Sequence, residues 1–98
     1  MTINKKQDGT SLTVTPVGRL DAITAREFGE VLETSLSGIE HLTLDFGQLE
    51  YISSAGLRIV LMAQKVMDRQ GDMKLIHVKE PILEVFEPTG FMAVLTIE

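Results

Sequence analysis

Three segments with helical periodicity each lie between two strand-like segments, and this alternation constrains the fold more than any other feature of the chain. Residues 2–7 and 10–17 read as strands around Asp8-Gly9, a pair that favours a tight hairpin because both turn positions tolerate positive φ. Leu12 and Val14 alternate with Thr13 and Thr15, as in a half-buried strand. Thr24 and Glu27 have capping-box spacing, and Ile23 is placed to staple onto Phe28. Ala25, Phe28, Val31, Leu32 and Leu36 supply the apolar stripe of this first helix, which Gly38 ends. Residues 41–46 form a strand and Gly47–Ile52 a loop. A second helix begins near Ser54 and stops before Gly71. Residues 73–78 form a further strand, Pro81 suits the first turn of a third helix, Pro88 or Gly90 stops it, and residues 93–97 complete the pattern as a last strand. The order β-β-α-β-α-β-α-β implies an α/β fold with an opening antiparallel pair and right-handed parallel crossovers after it. With sequential strands, all three helices fall mainly on one face of the mixed sheet.

A chain of 98 residues has room for one domain, taken as residues 1–98. Its net charge of −5 argues against nucleic acid and against an anionic membrane surface, and favours a partner with a basic patch. There is no cysteine, which removes disulfides, thiolate chemistry and cysteine-based zinc patterns. The first residues lack the apolar core of a signal peptide, and no apolar run approaches the ~18 residues of a membrane span. The expected location is the cytoplasm.

Chemistry concentrates in Leu42-Thr-Leu-Asp-Phe-Gly-Gln-Leu-Glu-Tyr-Ile-Ser-Ser-Ala-Gly-Leu57, where a parallel strand ends and a helix begins with serines at its cap. Functional sites of open α/β sheets lie at the carboxyl ends of strands, and a helix N-terminus favours a phosphate. Ser53 and Ser54 are therefore candidate phosphoryl acceptors. Ser54 also reads as an ordinary N-cap, worth about 1 kcal/mol, and on local pattern alone that reading has the larger share.

The same stretch resembles the signature of the STAS domain family of anti-sigma factor antagonists, through Asp45, Leu49, Tyr51-Ile52, Ser53-Ser54-Ala55 and Gly56-Leu57. The resemblance extends upstream to Val17-Gly18-Arg19-Leu20-Asp21 and downstream to Val85-Phe86-Glu87-Pro88-Thr89-Gly90-Phe91. It implies a single STAS-type domain and a regulatory, non-enzymatic bacterial phosphoprotein with no cofactor. The unphosphorylated form would bind an anti-sigma factor with serine kinase activity and free the sigma factor. Phosphorylation at Ser54, or less favourably Ser53, would switch binding off, and a serine phosphatase is a further implied partner. The alternative implied role is an accessory STAS subunit of a transporter or signalling assembly without a phospho-switch. In three respects the chain departs from the family: Ser53 stands where an acidic residue is usual, Ala55 where a second hydroxyl is usual, and the sequence stops at Glu98 where many relatives add a helix.

The expected partner-binding residues are Asp21, Ser53, Ser54, Gly56, Arg58, Met62 and Lys65. Asp21 and Asp45 both close strands and would point toward the edge that holds Ser54. For Asp21 the resemblance implies a role in orienting the hydroxyl or a partner's basic group, with a turn cap as the plainer alternative, whereas Asp45 reads as a loop cap. Arg58, Met62, Lys65 and Arg69 recur along one side of the second helix, either as a solvated face or as a partner contact around an adaptable methionine. Ser54, His77 and Asp45 supply the residue types of a hydrolase triad, but Ile52 stands where a nucleophile elbow needs glycine. His77 reads as a strand-interior residue, and with His41 it has no metal-ligand spacing. No phosphate-binding Gly-x-x-x-x-Gly-Lys loop occurs.

Overall fold

A computed structural model describes all residues 1–98. Its elements are β1 (Thr2–Asp8), β2 (Ser11–Leu20), α1 (Thr24–Ser35), β3 (His41–Asp45), β4 (Leu49–Ile52), α2 (Ser54–Gln70), β5 (Asp72–Ile76) and α3 (Glu80–Phe86). β1 and β2 form the antiparallel hairpin, with Asp8 opposite Ser11 and Gly9 at φ +61°. The sheet runs β1-β2-β3-β5, and every pairing after the hairpin is parallel. β3 lines the first half of β2 (Val14 opposite Leu44), and β4 lines its last residues (Leu20 opposite Ile52).

Strand alternation decides which face is covered. Leu12, Val14, Leu42, Leu44, Met73 and Leu75 are all buried, while the intervening Thr13, Thr15, Thr43 and Lys74 are not. Phe28 and Leu32 of α1, Leu57, Val60 and Met67 of α2, and Ile82 and Phe86 of α3 join the same apolar cluster. The three helices thus share one face, and the other face of the sheet is threonine-rich and unburied. No helix is long and apolar enough to cross a membrane.

Four details differ from the sequence-based expectation. Residues 49–52 are a short strand, not loop: Gly47 and Gln48 break β3, and pairing resumes when the Gly18 N–H donates to the Gln48 carbonyl at 3.0 Å. Residues 93–97 do not form a full strand; 91–93 make a 3-10 turn and only Ile97 bridges, parallel to Leu75. The capping box at Thr24 and Glu27 does not form, because Asp21 supplies the cap from the preceding turn. Ile23 is 80 % exposed and so staples to nothing, although Phe28 is buried.

Candidate functional site

β2 and β4 end side by side, and each feeds a helix. The Ser53 N–H donates to the Leu20 carbonyl at 2.8 Å, which brings the start of α2 against the end of β2. Gly56 permits this approach. A Cβ there would lie 2.8 Å from Ile52 Cγ1 and 3.2 Å from the Leu20 carbonyl oxygen. Gly56 is buried, so it gives the site closeness of backbone and no contact surface of its own.

The cap of α2 is Ser53, not Ser54. Ser53 has extended backbone angles, and its Oγ accepts the Gly56 N–H at 3.3 Å while its carbonyl accepts the Leu57 N–H at 3.0 Å. Ser54 is the first helical residue. It is exposed, and its hydroxyl bonds to nothing within the chain. The Ser54 and Ala55 N–H groups also lack an intrachain acceptor, and the first turn carries no acidic residue. An exposed hydroxyl thus stands at the positive end of a 17-residue helix, beside unclaimed donors.

Asp21 lies at the same edge, at the end of β2. Its Oδ1 accepts the Ile23 N–H (2.9 Å), the Thr24 N–H (2.9 Å) and the Thr24 hydroxyl (3.1 Å). The Thr24 hydroxyl also donates to the Arg19 carbonyl at 2.6 Å and accepts the Asp21 N–H at 2.9 Å. The Thr24 backbone donor, then its hydroxyl, hold the Asp21 carboxyl below its usual pKa. Asp21 is therefore a turn cap with one oxygen committed and Oδ2 free of intrachain bonds. Next to it, Arg19 stacks on the Tyr51 ring with its guanidinium carbon 4.3 Å from the centroid. Arg19 and Tyr51 are register partners on β2 and β4. Reading 49–52 as loop concealed this pair; the only signal in the sequence was an aromatic residue two places before the serines.

Asp45 does not join this edge. Val14 opposes Leu44, so Asp45 lies level with Thr15, six residues short of Asp21 and roughly 20 Å back along β2 at ~3.3 Å per residue. Its Oδ1 accepts the Gly47 N–H at 3.0 Å and meets His77 Nδ1 at 2.9 Å. Burial works to raise the Asp45 pKa, but the bonds from His77 and Gly47 outweigh it and hold it below the usual value. His77 is not inside a strand. It follows β5 with φ +56°, a left-handed turn conformation. Two members of the triad considered above do meet, but far from Ser54.

Along α2, Arg58 and Lys65 are exposed and Met62 is 45 % exposed between them. With Leu61, Phe91 and Val94 they frame an open groove of about 620 Å³. The sequence pattern had not marked Phe91 or Val94 as surface: Val94 fell in 93–97, read as a strand, and Phe91 entered only through the resemblance of the Thr89-Gly90 segment.

The family model described as "Mlab, STAS domain" matches residues 3–96. The chain belongs to the STAS domain family. A Bordetella bronchiseptica protein named as anti-sigma factor antagonist BtrV is 40 % identical over 74 residues. That alignment covers 69 % of this chain and 64 % of the relative, so the chain matches less than two thirds of the relative's length. Among solved structures, the unphosphorylated form of the anti-sigma factor antagonist SpoIIAA superposes with TM-score 0.84 at 15 % identity, covering 99 % of this chain and 88 % of that one. SpoIIAA, called a Bacillus cell fate determinant, is also solved in a phosphorylated form (TM-score 0.77, 15 % identity, 99 % and 91 % covered). A sulfate transporter family protein from Wolinella succinogenes shares the fold with TM-score 0.75 at 16 % identity, over 88 % of this chain and 71 % of that one. At such identities these structures bear on the fold alone.

Proposed function

We propose that this chain is an anti-sigma factor antagonist whose partner is an anti-sigma factor with serine kinase activity. Residues 1–98 act as one STAS unit in the bacterial cytoplasm, with no catalysis of their own. Unphosphorylated, the protein occupies the kinase and the sigma factor goes free. The kinase then phosphorylates Ser54, the complex separates, and a serine phosphatase resets the switch. The observation that carries this reading is the exposed, unbonded Ser54 hydroxyl on a helix whose cap Ser53 already provides. Ser53 is less suited as acceptor, since modifying it would disturb the cap.

Asp21, Ser53 and Ser54 form the upper part of the proposed contact surface, Gly56 sets its shape, and Arg58, Met62 and Lys65 extend it along α2. A phosphoryl group adds about −1.5 to −2 charges at neutral pH. At the α2 N-terminus that charge suits the dipole, so the fold survives. Within a closed interface the same charge must shed water near the Asp21 carboxylate, and left unpaired it costs several kcal/mol. About 1.4 kcal/mol already lowers affinity tenfold. Incubation with a candidate anti-sigma kinase and ATP, followed by mass spectrometry of the peptide holding both serines, tests the assignment. Phosphate on Ser53, or on neither serine, overturns it.

A second reading takes its support from the Wolinella neighbour, a sulfate transporter family protein: an accessory subunit of a transporter, with no modification at Ser54. The neighbouring gene separates the two. A serine kinase gene favours the switch, and a transporter ATPase gene favours the subunit.

A further inference from the structure

α1 and α2 lie side by side on the covered face of the sheet, and their solvent sides carry opposite charge. Glu27, Glu30 and Glu33 are exposed on α1; Arg58, Lys65 and Arg69 are exposed on α2. Arg26 on α1 and Asp68 on α2 are the exceptions, and Asp68 lines the Phe91 groove together with Arg58 and Lys65. No ion pair joins the two helices; Glu27 meets only the chain's own amino terminus, at 3.7 Å. Between the rows runs an apolar seam, an open groove of about 290 Å³ formed by the exposed Met62 and half-buried Val66 with the buried Leu32, Leu36 and Ala63, and with Glu33 at its rim.

The rows also match in height. A Cβ on Gly29 would lie 3.1 Å from Ile59 Cδ1, so the helices touch there and residue 29 is level with residue 59. Both helices return from parallel strands and run in the same general direction. Glu27 is thus near the height of Arg58, and Glu33 falls between Met62 and Lys65 at 1.5 Å per residue.

An acidic row, an apolar seam and a basic row at equal heights are self-complementary about a two-fold axis laid along the seam. We propose that a second copy of this chain docks on the α1–α2 face, with α1 of each copy over α2 of the other and the two Met62 side chains meeting at the centre. A foreign acidic peptide would satisfy the α2 row alone. A second copy satisfies both rows twice and covers the seam in the same step. A face two helices wide stands at the small end of specific interfaces, ~1,000 Å² in total, which suits reversible association in the micromolar range. The dimer does not depend on the proposed switch; where both operate, they compete for Arg58, Met62 and Lys65.

Sedimentation equilibrium of the full chain, from ~1 µM to ~1 mM at low and at high salt, tests this. The expected result is a monomer–dimer equilibrium that weakens as salt rises. Glu30→Lys/Glu33→Lys and Arg58→Glu/Lys65→Glu should each lose at least tenfold in self-association. Mixed together, the two variants should associate as well as wild type, because both charged rows are then complementary again. Wild type that stays monomeric to ~1 mM, a reversed variant that associates like wild type, or a mixture that fails to associate would each overturn the proposal. Amide shifts of the wild-type chain on dilution provide a readout free of substitutions. They should change around Leu36, Met62 and Val66, and changes confined to the open threonine face of the sheet would count against the seam.

Discussion

At the start of α1 a carboxylate closes the helix, whereas at the start of α2 a neutral hydroxyl does. The two starts are neighbours, since Leu20 and Ile52 are paired and each helix follows within a few residues. At α1, one oxygen of Asp21 accepts three bonds, and its negative charge faces the helix dipole. At α2, Ser53 caps through a longer bond of 3.3 Å, no acidic side chain enters the first turn, and Ser54 stands free beside it. One terminus already holds its anion and the other has room for one. A regulated anion placed on α1 would displace structure; on α2 it meets unclaimed donors.

The packing beneath the two starts gives the largest expected effect. Gly56→Val places branched carbons where even a Cβ would lie 3.1 Å from Leu20 Cβ and 3.2 Å from the Leu20 carbonyl oxygen. Overpacking of this kind costs typically 1–3 kcal/mol. Chemical denaturation should show a loss in that range. A variant as stable as wild type would show that the two starts are not locked together through Leu20.

Asp21→Ala should come next, as a clear drop in melting temperature near neutral pH, because three donors lose their shared acceptor. The pH dependence sharpens the comparison. Asp21 and Asp45 both titrate in the fold below their ordinary value of 3.8. The unfolded chain binds these protons more readily, so their contribution is complete above pH 3.8 and is lost as the pH falls through the lower folded values. The difference in melting temperature between wild type and Asp21→Ala should therefore narrow on acidification below 3.8. A gap of constant size across that window would mean that Asp21 stabilises through something other than its charge.

These two starts also mark how far the sequence was legible. The hairpin, the succession of β1, β2, α1, β3, α2, β5 and α3, the covered face and the serine pair at a helix start all follow from turn chemistry and periodicity, which are local. The family resemblance in residues 42–57 led to the correct fold. What was missed depends on competition between neighbours. Thr24 and Glu27 have the spacing of a capping box, but Asp21 accepts the Thr24 N–H that Glu27 would have taken, and the Thr24 hydroxyl is drawn back to the Arg19 carbonyl, so Thr24 serves the turn instead. Ser54 and Ser53 are equal by pattern, and the bond from Ser53 N–H to Leu20 sets which of them caps. β4 has four residues and follows a glycine, too short for alternation to register, and with it went the Arg19–Tyr51 pair. The last segment pairs at Ile97 alone, which no propensity distinguishes from a strand.

The two serines give the smallest effects on stability and the sharpest division of roles. Ser53→Ala removes a cap and should cost about 0.5–1 kcal/mol, toward the low end because its bond is long. Ser54→Ala removes an exposed hydroxyl with no partner and puts a good helix former at the first helical position, so stability should stay within about 0.5 kcal/mol of wild type. Function should run the other way. Ser53→Ala should still accept phosphate from the cognate kinase, while Ser54→Ala binds that kinase and is never modified. Ser54→Asp should melt like wild type yet bind more weakly, by less than the phosphorylated protein does, since a carboxylate is smaller and carries less charge. Calorimetric titration of the four proteins against the kinase, with a melt of each, measures both halves. Equal affinity for Ser54→Asp and wild type, combined with loss of modification in Ser53→Ala, would exchange the roles of cap and switch.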